Sequence, residues 1–399
     1  MDNSSYGCGI FIDLKKAFDT VNHDILIKKL EHYGVRGKSL DWFASYLKGR
    51  SQYTFCNNAS SEIKSITCGV PQGSVLGPLL FLIYINDLPN ISKKLKFFLF
   101  ADDTNIFYQC PNLEDLQRTL NRELKKLSLW LNANRLALNI SKTNFVIFAA
   151  KNKPLKNVTL LLNKKAIQQT NSVKYLGVLI DSQLTFKEHT MVVSKKVSRI
   201  TGAMYRIRNY VNDKTLRMIY FSLIYPHLIY GITIWGNADN NHIDPILKLQ
   251  KKAVRIISNK VENIQTVFRL PGDPDISWLI NTFEKEPSSP IFKSLNVLKI
   301  QDIFKAESLK FVYDSVNKNN PFQFHEYFHY SSNIHNTTAN RKGFLNTPLV
   351  RTVTYGLKSI KYTGCVLWNN LPDQVKNSQT KKSFSKSVKK YFVNAYTTV

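Results

Sequence analysis

The stretch Phe97-Phe98-Leu99-Phe100-Ala101-Asp102-Asp103-Thr104-Asn105-Ile106-Phe107-Tyr108 sets two adjacent aspartates inside an otherwise apolar run. An unpaired carboxylate costs several kcal/mol to bury, so a pair there implies a compensating cation. The flanking residues read as two strands, and a tight turn between antiparallel strands would present both acids at its tip. A second apolar run, Cys8-Gly9-Ile10-Phe11-Ile12-Asp13-Leu14, carries a lone acid in the same setting. Acids on separate strands suit Mg²⁺, which prefers hard oxygen ligands and completes its shell with water and phosphate. Two such ions roughly 3.5–4 Å apart can serve the attacking and leaving oxygens of a phosphoryl or nucleotidyl transfer. Carboxylate nucleases use similar acids, so the acids alone leave the reaction open.

The rest of the chain narrows the partner. Its 399 residues allow about two or three domains, and a hydrophobic content of 43% excludes wholesale disorder. The formal net charge of +27 points to a polyanion, by default nucleic acid. That charge is unevenly placed. Residues 1–140 carry 17 basic and 13 acidic side chains, whereas residues 141–260 carry 20 and 5. Five cysteines without metal-ligand spacing, and an N-terminus without a targeting signature, predict reduced thiols in an intracellular protein of the nucleus or cytoplasm. The longest apolar stretch, Met218 to Trp235, contains Pro226 and His227 and reads as buried helix and turn rather than a membrane span.

Periodicity gives the fold class. Residues 8–14 read as a buried strand. Residues 22–49 read as helix broken at Gly34 and Gly37, and 51–69 as a hairpin. An apolar helix follows over 76–87. Leu113, Leu116, Leu120, Leu124, Leu127 and Leu131 mark an amphipathic helix, with a strand after it at 143–149. The pattern predicts an α+β domain, an antiparallel sheet with helices on one face. Past residue 185 it becomes mainly helical and basic. The expected segments are 1–185, 186–258, an irregular linker or insertion over 259–290, and a mixed C-terminal region over 291–399.

Phe11-Ile12-Asp13-Leu14-Lys15-Lys16-Ala17-Phe18-Asp19-Thr20-Val21 and Gly69-Val70-Pro71-Gln72-Gly73-Ser74-Val75-Leu76-Gly77-Pro78 are similar to the first and second palm motifs of reverse transcriptases of non-LTR retrotransposons, and three further motifs of that family follow in order. Phe100-Ala101-Asp102-Asp103 resembles the catalytic hairpin. Leu138-Asn139-Ile140-Ser141-Lys142-Thr143 and Tyr175-Leu176-Gly177 resemble the next two. Further on, Tyr230-Gly231 to Trp235-Gly236-Asn237 and Leu367-Trp368-Asn369-Asn370-Leu371-Pro372 resemble the C-terminal regions of the same elements.

The resemblance implies a polymerase palm followed by a helical thumb, and RNA-directed DNA polymerase activity by a two-metal mechanism. Asp13, Asp102 and Asp103 would hold two Mg²⁺ ions, for which Mn²⁺ can substitute, with the Leu14 carbonyl as a further ligand. Phe18 would pack under the sugar and exclude a 2′-OH. Gln72 and Gly73 would lie against the incoming nucleotide and template, the glycine allowing close backbone approach. Lys142 would neutralise the leaving pyrophosphate, and Tyr175, Leu176 and Gly177 would form the primer grip. Asp19 reads as a local hydrogen-bonding residue. The implied partners are an RNA template, a DNA primer and deoxynucleoside triphosphates, with no membrane; oligomeric state is not legible. Lys195, Lys196, Arg199, Arg206, Arg208, Lys251, Lys252 and Arg255 are candidate phosphate contacts on the thumb.

Taken without the family, Phe18 reads as a core aromatic, Gln72-Gly73 as a plain turn, Lys142 as a surface lysine and Tyr175–Gly177 as an ordinary hairpin. Against the family pattern, the fingers region before the first motif and an endonuclease domain are expected to be missing from this chain, which would weaken the grip on nucleotide and template. Two rival readings therefore stay open: an inactive nucleic-acid-binding remnant and, more distantly, a carboxylate-type nuclease.

Overall fold

The computed structural model describes residues 1–2, 5–151, 153, 157–258, 287–331 and 343–396. It is a mixed α/β protein of two compact units. The first comprises essentially residues 3–173 with 181–184; the second comprises residue 2, 174–180 and 185–399.

The first unit is built on a five-stranded sheet. Its strands are β1 (Tyr6–Ile12), β2 (Lys96–Phe100), β3 (Asp103–Cys110), β4 (Asn144–Phe148) and the short β5 (Gln168–Gln169), in the order β5-β4-β1-β3-β2. All neighbours are antiparallel except β5 on β4. Alternation along β1 turns Cys8, Ile10 and Ile12 to one face, where they join a core with Ile106, Phe145 and Ile147. Helices α1 (His23–His32), α2 (Lys38–Leu47), α3 (Leu76–Ile85) and α4 (Leu113–Ala133) complete this unit. The six periodic leucines of α4, Leu113, Leu116, Leu120, Leu124, Leu127 and Leu131, are buried in that core, while Leu129 on the other side is exposed.

Local chemistry fixes the helix ends. The Asn22 side chain accepts from the Ile25 N–H at the start of α1, and Asn112 accepts from Glu114 N–H at the start of α4. Tyr84, fully buried on α3, donates its hydroxyl to the Asn134 carbonyl at 2.6 Å. That single ring ties α3 to the end of α4. Helix α3 stops at Ile85, two residues short of the expected end, and Pro89 lies inside a following 3₁₀ turn, Leu88–Ile91. Residues 51–65 form two short antiparallel pairs, Ser51–Gln52 with Lys64–Ser65 and Phe55–Cys56 with Ala59–Ser60, all exposed.

The second unit is helical. Its longer helices are α5 (Lys187–Ile207), α6 (Asn240–Ile257), α7 (Ile300–Val316), α8 (Ile360–Asn369) and α9 (Lys381–Asn394). Residues from 178–257 and from 291–396 share one core around Trp235, Tyr220, Phe292 and Phe384. Gln250 of α6 links them: its Nε2 donates to the Tyr220 hydroxyl and the Leu298 carbonyl, both at 2.8 Å, and its Oε1 accepts from Ile300 N–H at 2.9 Å. All three bonds are made inside the protein, so this buried amide stabilises without an unmet polar atom. Tyr220, Ile224, Leu228, Ile232 and Trp235 are buried within the apolar stretch 218–235, which forms a π-turn and short helices. Among the described residues no helix is long and apolar enough to cross a membrane. The irregular stretch expected over 259–290 lies outside the described residues but for 287–290.

Candidate active site

Strand pairing brings three acids to one end of the sheet. Ile12 of β1 stands opposite Thr104 of β3, and Phe100 of β2 stands opposite Asp103. Asp103 therefore opens β3, and Asp13 follows the last residue of β1 on the adjacent strand. Ala101 and Asp102 form the two-residue turn between β2 and β3. Ala101 holds φ at +50°, in the left-handed region that a Cβ disfavours by roughly 1–2 kcal/mol.

The apolar run does not bury the acids. Asp102 and Asp103 are exposed and Asp13 is half-buried. The reason lies in strand alternation: on the outer strand β2 only every second residue turns inward, and Phe98 and Phe100 are 53% and 61% exposed. A cation is instead called for by like charge. Burial first, then the neighbouring Asp102 and Asp13, push the Asp103 carboxyl above its ordinary value. Asp103 and Asn105 share a face of the sheet, and Asn105 is buried with its Nδ2 unbonded among the described residues. The donor set of three carboxylates, mutually repelling and half-open to solvent, fits a hard divalent ion. Among the described residues no three acid, histidine or cysteine side chains are grouped so that they could hold a metal ion by themselves. Mg²⁺ held by one or two carboxylates plus substrate phosphates does not require such a group.

The backbone of Asp13 is fixed from the segment 137–143. Asp13 N–H donates to Thr143 Oγ1 at 3.3 Å, and its carbonyl accepts from Asn139 N–H at 2.9 Å. Lys15 N–H donates to the Ala137 carbonyl at 2.8 Å, completing a bridge of Leu14 with Leu138. These bonds use the carbonyl of Asp13 and leave out that of Leu14. Thr143 is itself locked by donating Oγ1 to the Asn139 carbonyl. Lys142, exposed, thus rides on a loop whose backbone is tied to Asp13.

The second motif folds onto the first. Val70 N–H donates to the Phe18 carbonyl and Gly69 N–H to the Val21 carbonyl, at 2.8 and 2.7 Å. Gly69 is needed here twice over: its φ is +91°, and a Cβ would stand 2.8 Å from the Asp19 carbonyl oxygen. The Phe18 ring lies against Phe81, centroids 4.7 Å apart, and remains half-buried. Gln72 donates Nε2 to Asp19 Oδ1 at 2.8 Å. Asp19 therefore acts across 53 positions, not locally as its place in the sequence implies. Gly73 has φ +80° and open space around it, so its freedom serves the turn.

Tyr175, Leu176 and Gly177 belong to the second unit. They join strands Ser172–Tyr175 and Val178–Asp181. Leu176 and Gly177 have φ +43° and +83°, the paired positive values of a type I′ turn. Tyr230 donates its hydroxyl to the Leu176 carbonyl at 2.6 Å, and Trp235 Nε1 donates to the Tyr230 carbonyl at 2.8 Å. His189 Nδ1 accepts from Leu179 N–H at 3.3 Å, with its ring edge against Trp235. Burial, then Lys196, hold the His189 pKa below its ordinary value, which favours the neutral ring that such an acceptor needs. Tyr230 and Trp235 stand in a quoted motif, but no spacing rule pointed to this clamp.

Among the basic candidates, Lys195, Lys196, Arg199 and Arg206 are exposed on α5, and Arg208 stacks over the Tyr205 ring at 3.7 Å. Lys252 is a correction: it is buried on α6, and burial, then Arg255, lower its pKa to about 8. The inner side of an amphipathic helix, not the charge of the residue, decided its place.

The model of the reverse transcriptase (RNA-dependent DNA polymerase) family matches residues 1–180. A probable RNA-directed DNA polymerase from transposon X-element of Drosophila melanogaster is 31% identical over 64% of this chain and 29% of its own length. The RNA-directed DNA polymerase from mobile element jockey of the same fly is 30% identical over 65% of this chain and 29% of its own length. This chain thus spans under a third of these curated relatives. Telomerase from Candida albicans aligns over 64% of this chain and 48% of its own, at 12% identity and a TM-score of 0.35, a likeness too slight to bear on the fold. Residues 1–180 are thus similar to the reverse transcriptase family, and about two thirds of the chain is similar to RNA-directed DNA polymerases of Drosophila mobile elements.

Proposed function

We propose that this chain carries the polymerase centre of a retrotransposon RNA-directed DNA polymerase, which adds deoxynucleotides to a primer under direction of an RNA template. The observation that carries it is the meeting of Asp13, Asp102 and Asp103 at one end of paired strands. When bound, two Mg²⁺ ions would supply the charge that activates the attacking oxygen and stabilises the leaving one. The three carboxylates would hold that charge, with the Leu14 carbonyl as a further ligand. Phe18, whose ring packs against Phe81, would exclude a 2′-OH. Gln72, held by its bond to Asp19, and Gly73 would lie against the incoming nucleotide and template. Lys142 neutralises the leaving pyrophosphate, and Tyr175, Leu176 and Gly177 support the primer end. The exposed cations of α5 follow the nucleic-acid backbone as a thumb would.

Primer extension on an RNA template tests the reading. With Mg²⁺ the chain should incorporate deoxynucleotides, and Asp102→Asn should lower the rate roughly a thousandfold, the loss of several kcal/mol of transition-state stabilisation. Incorporation unaffected by Asp102→Asn would refute the assignment of the centre. Absence of incorporation in both would mark a nucleic-acid-binding remnant.

A further inference from the structure

Helices α7 and α9 pack together in the second unit, and beside them opens a cavity of about 580 Å³. Five lysines line it: Lys310 from α7, and Lys381, Lys382, Lys386 and Lys389 from α9. The one acid in the lining is Glu307, and it is already committed to Lys310 at 2.6 Å. Lys381 is likewise committed, to Asp314 at 2.6 Å. No carboxylate among the described residues pairs with Lys382, Lys386 or Lys389. Tyr225, Leu298 and Ala306 supply a less polar wall. Lys389 is half-buried, and burial, then Arg217 and Lys310, hold its pKa below the ordinary value. A partly desolvated ammonium among cations is a place where an anion would be favoured.

We propose that this cavity binds the phosphate backbone of a single-stranded nucleic acid, with Lys382, Lys386 and Lys389 each meeting one phosphate. The three are spaced by four and three residues on one face of α9. At 1.5 Å per residue they stand along the helix at about 6 and about 10 Å from the first. That reach is too long for one phosphate group and suits successive groups of a strand. Lysine meets phosphate as a point charge, so the contact carries affinity and no sequence information. The site does not depend on the polymerase reading: a chain unable to extend a primer would keep it.

Binding of a labelled oligouridine to the full chain, measured across a salt series, tests this. The combined variant Lys382→Gln, Lys386→Gln, Lys389→Gln is compared with Lys28→Gln, Lys93→Gln, Lys165→Gln, which removes the same charge from exposed positions of the first unit. The first should make the slope of log affinity against log salt shallower by about 2, at about 0.7 per phosphate contact; the second should change it by less than half as much. Equal changes would overturn the proposal and leave only net charge. So would an unchanged slope in the first variant. Competition by inorganic phosphate as effective, per phosphate, as by oligouridine would overturn the strand and leave a small-anion pocket. If the combined variant unfolds by far-ultraviolet circular dichroism, Lys382→Gln and Lys386→Gln are each taken alone, with an expected change of about 0.7 apiece.

Discussion

The turn at Ala101-Asp102 and the turn at Leu176-Gly177 each join two antiparallel strands with two residues, and they are held in opposite ways. The second meets its conformational demand from within. Glycine occupies the position with φ +83°, and Tyr230 fastens the preceding carbonyl. The first carries an alanine at φ +50° and exposes two adjacent carboxylates, with a third on the next strand. Each turn holds one non-glycine residue left-handed, Leu176 at φ +43° as well as Ala101, so it is like-charge repulsion, without a counter-ion among the described residues, that marks the acidic turn as the one that asks something of a ligand.

The neutral turn is the easier to break. Gly177→Ala should cost about 1–2 kcal/mol, since its backbone is left-handed and a Cβ would stand 3.3 Å from the Tyr230 ring. The midpoint of the chemical unfolding transition of the second unit reads this directly. Tyr230→Phe should cost less, about 0.5–1 kcal/mol, because the Leu176 carbonyl it releases is open to water. Tyr230 touches both residues of the turn, so the double variant should fall short of the sum of the two single ones. Strict additivity would show that the clamp and the glycine act separately.

Much of this contrast was legible in the chain, and the part that was not has a common cause. Periodicity found α4, because six leucines at three-to-four spacing need no tertiary information to define a face. The acidic hairpin was legible for the same reason: a two-residue break between apolar strands is a local signal. Exposure was not legible. Whether Phe98 and Phe100 are covered depends on what lies against an outer strand, which a run of apolar residues does not record. Nor was the bond from Gln72 to Asp19, since 53 positions separate them, nor the burial of Lys252, where the packing face of α6 overrode an expectation based on charge. The basic excess pointed to residues 141–260, and charge alone does not distinguish the committed Lys381 from the uncommitted Lys382 beside it.

The acidic turn supplies the smallest effect and the sharpest sign. In the folded chain the Asp103 carboxyl lies above the ordinary value of 3.8. A carboxylate raised in this way favours the fold while protonated, and that contribution is lost as pH rises through the folded-state value. At neutral pH in metal-free buffer the ionised group therefore burdens the first unit. Asp103→Asn should remove the burden and raise the melting temperature by about 1 °C, kept small by solvent screening at an exposed site. Below pH 3.8 the two proteins should melt together. Adding Mg²⁺ should then raise the melting temperature of the unaltered chain more than that of Asp103→Asn, since only the former keeps all three charges to neutralise. A lower melting temperature for Asp103→Asn in metal-free buffer at neutral pH would mean that the carboxylate stabilises its own turn, and the difference between the two turns would vanish.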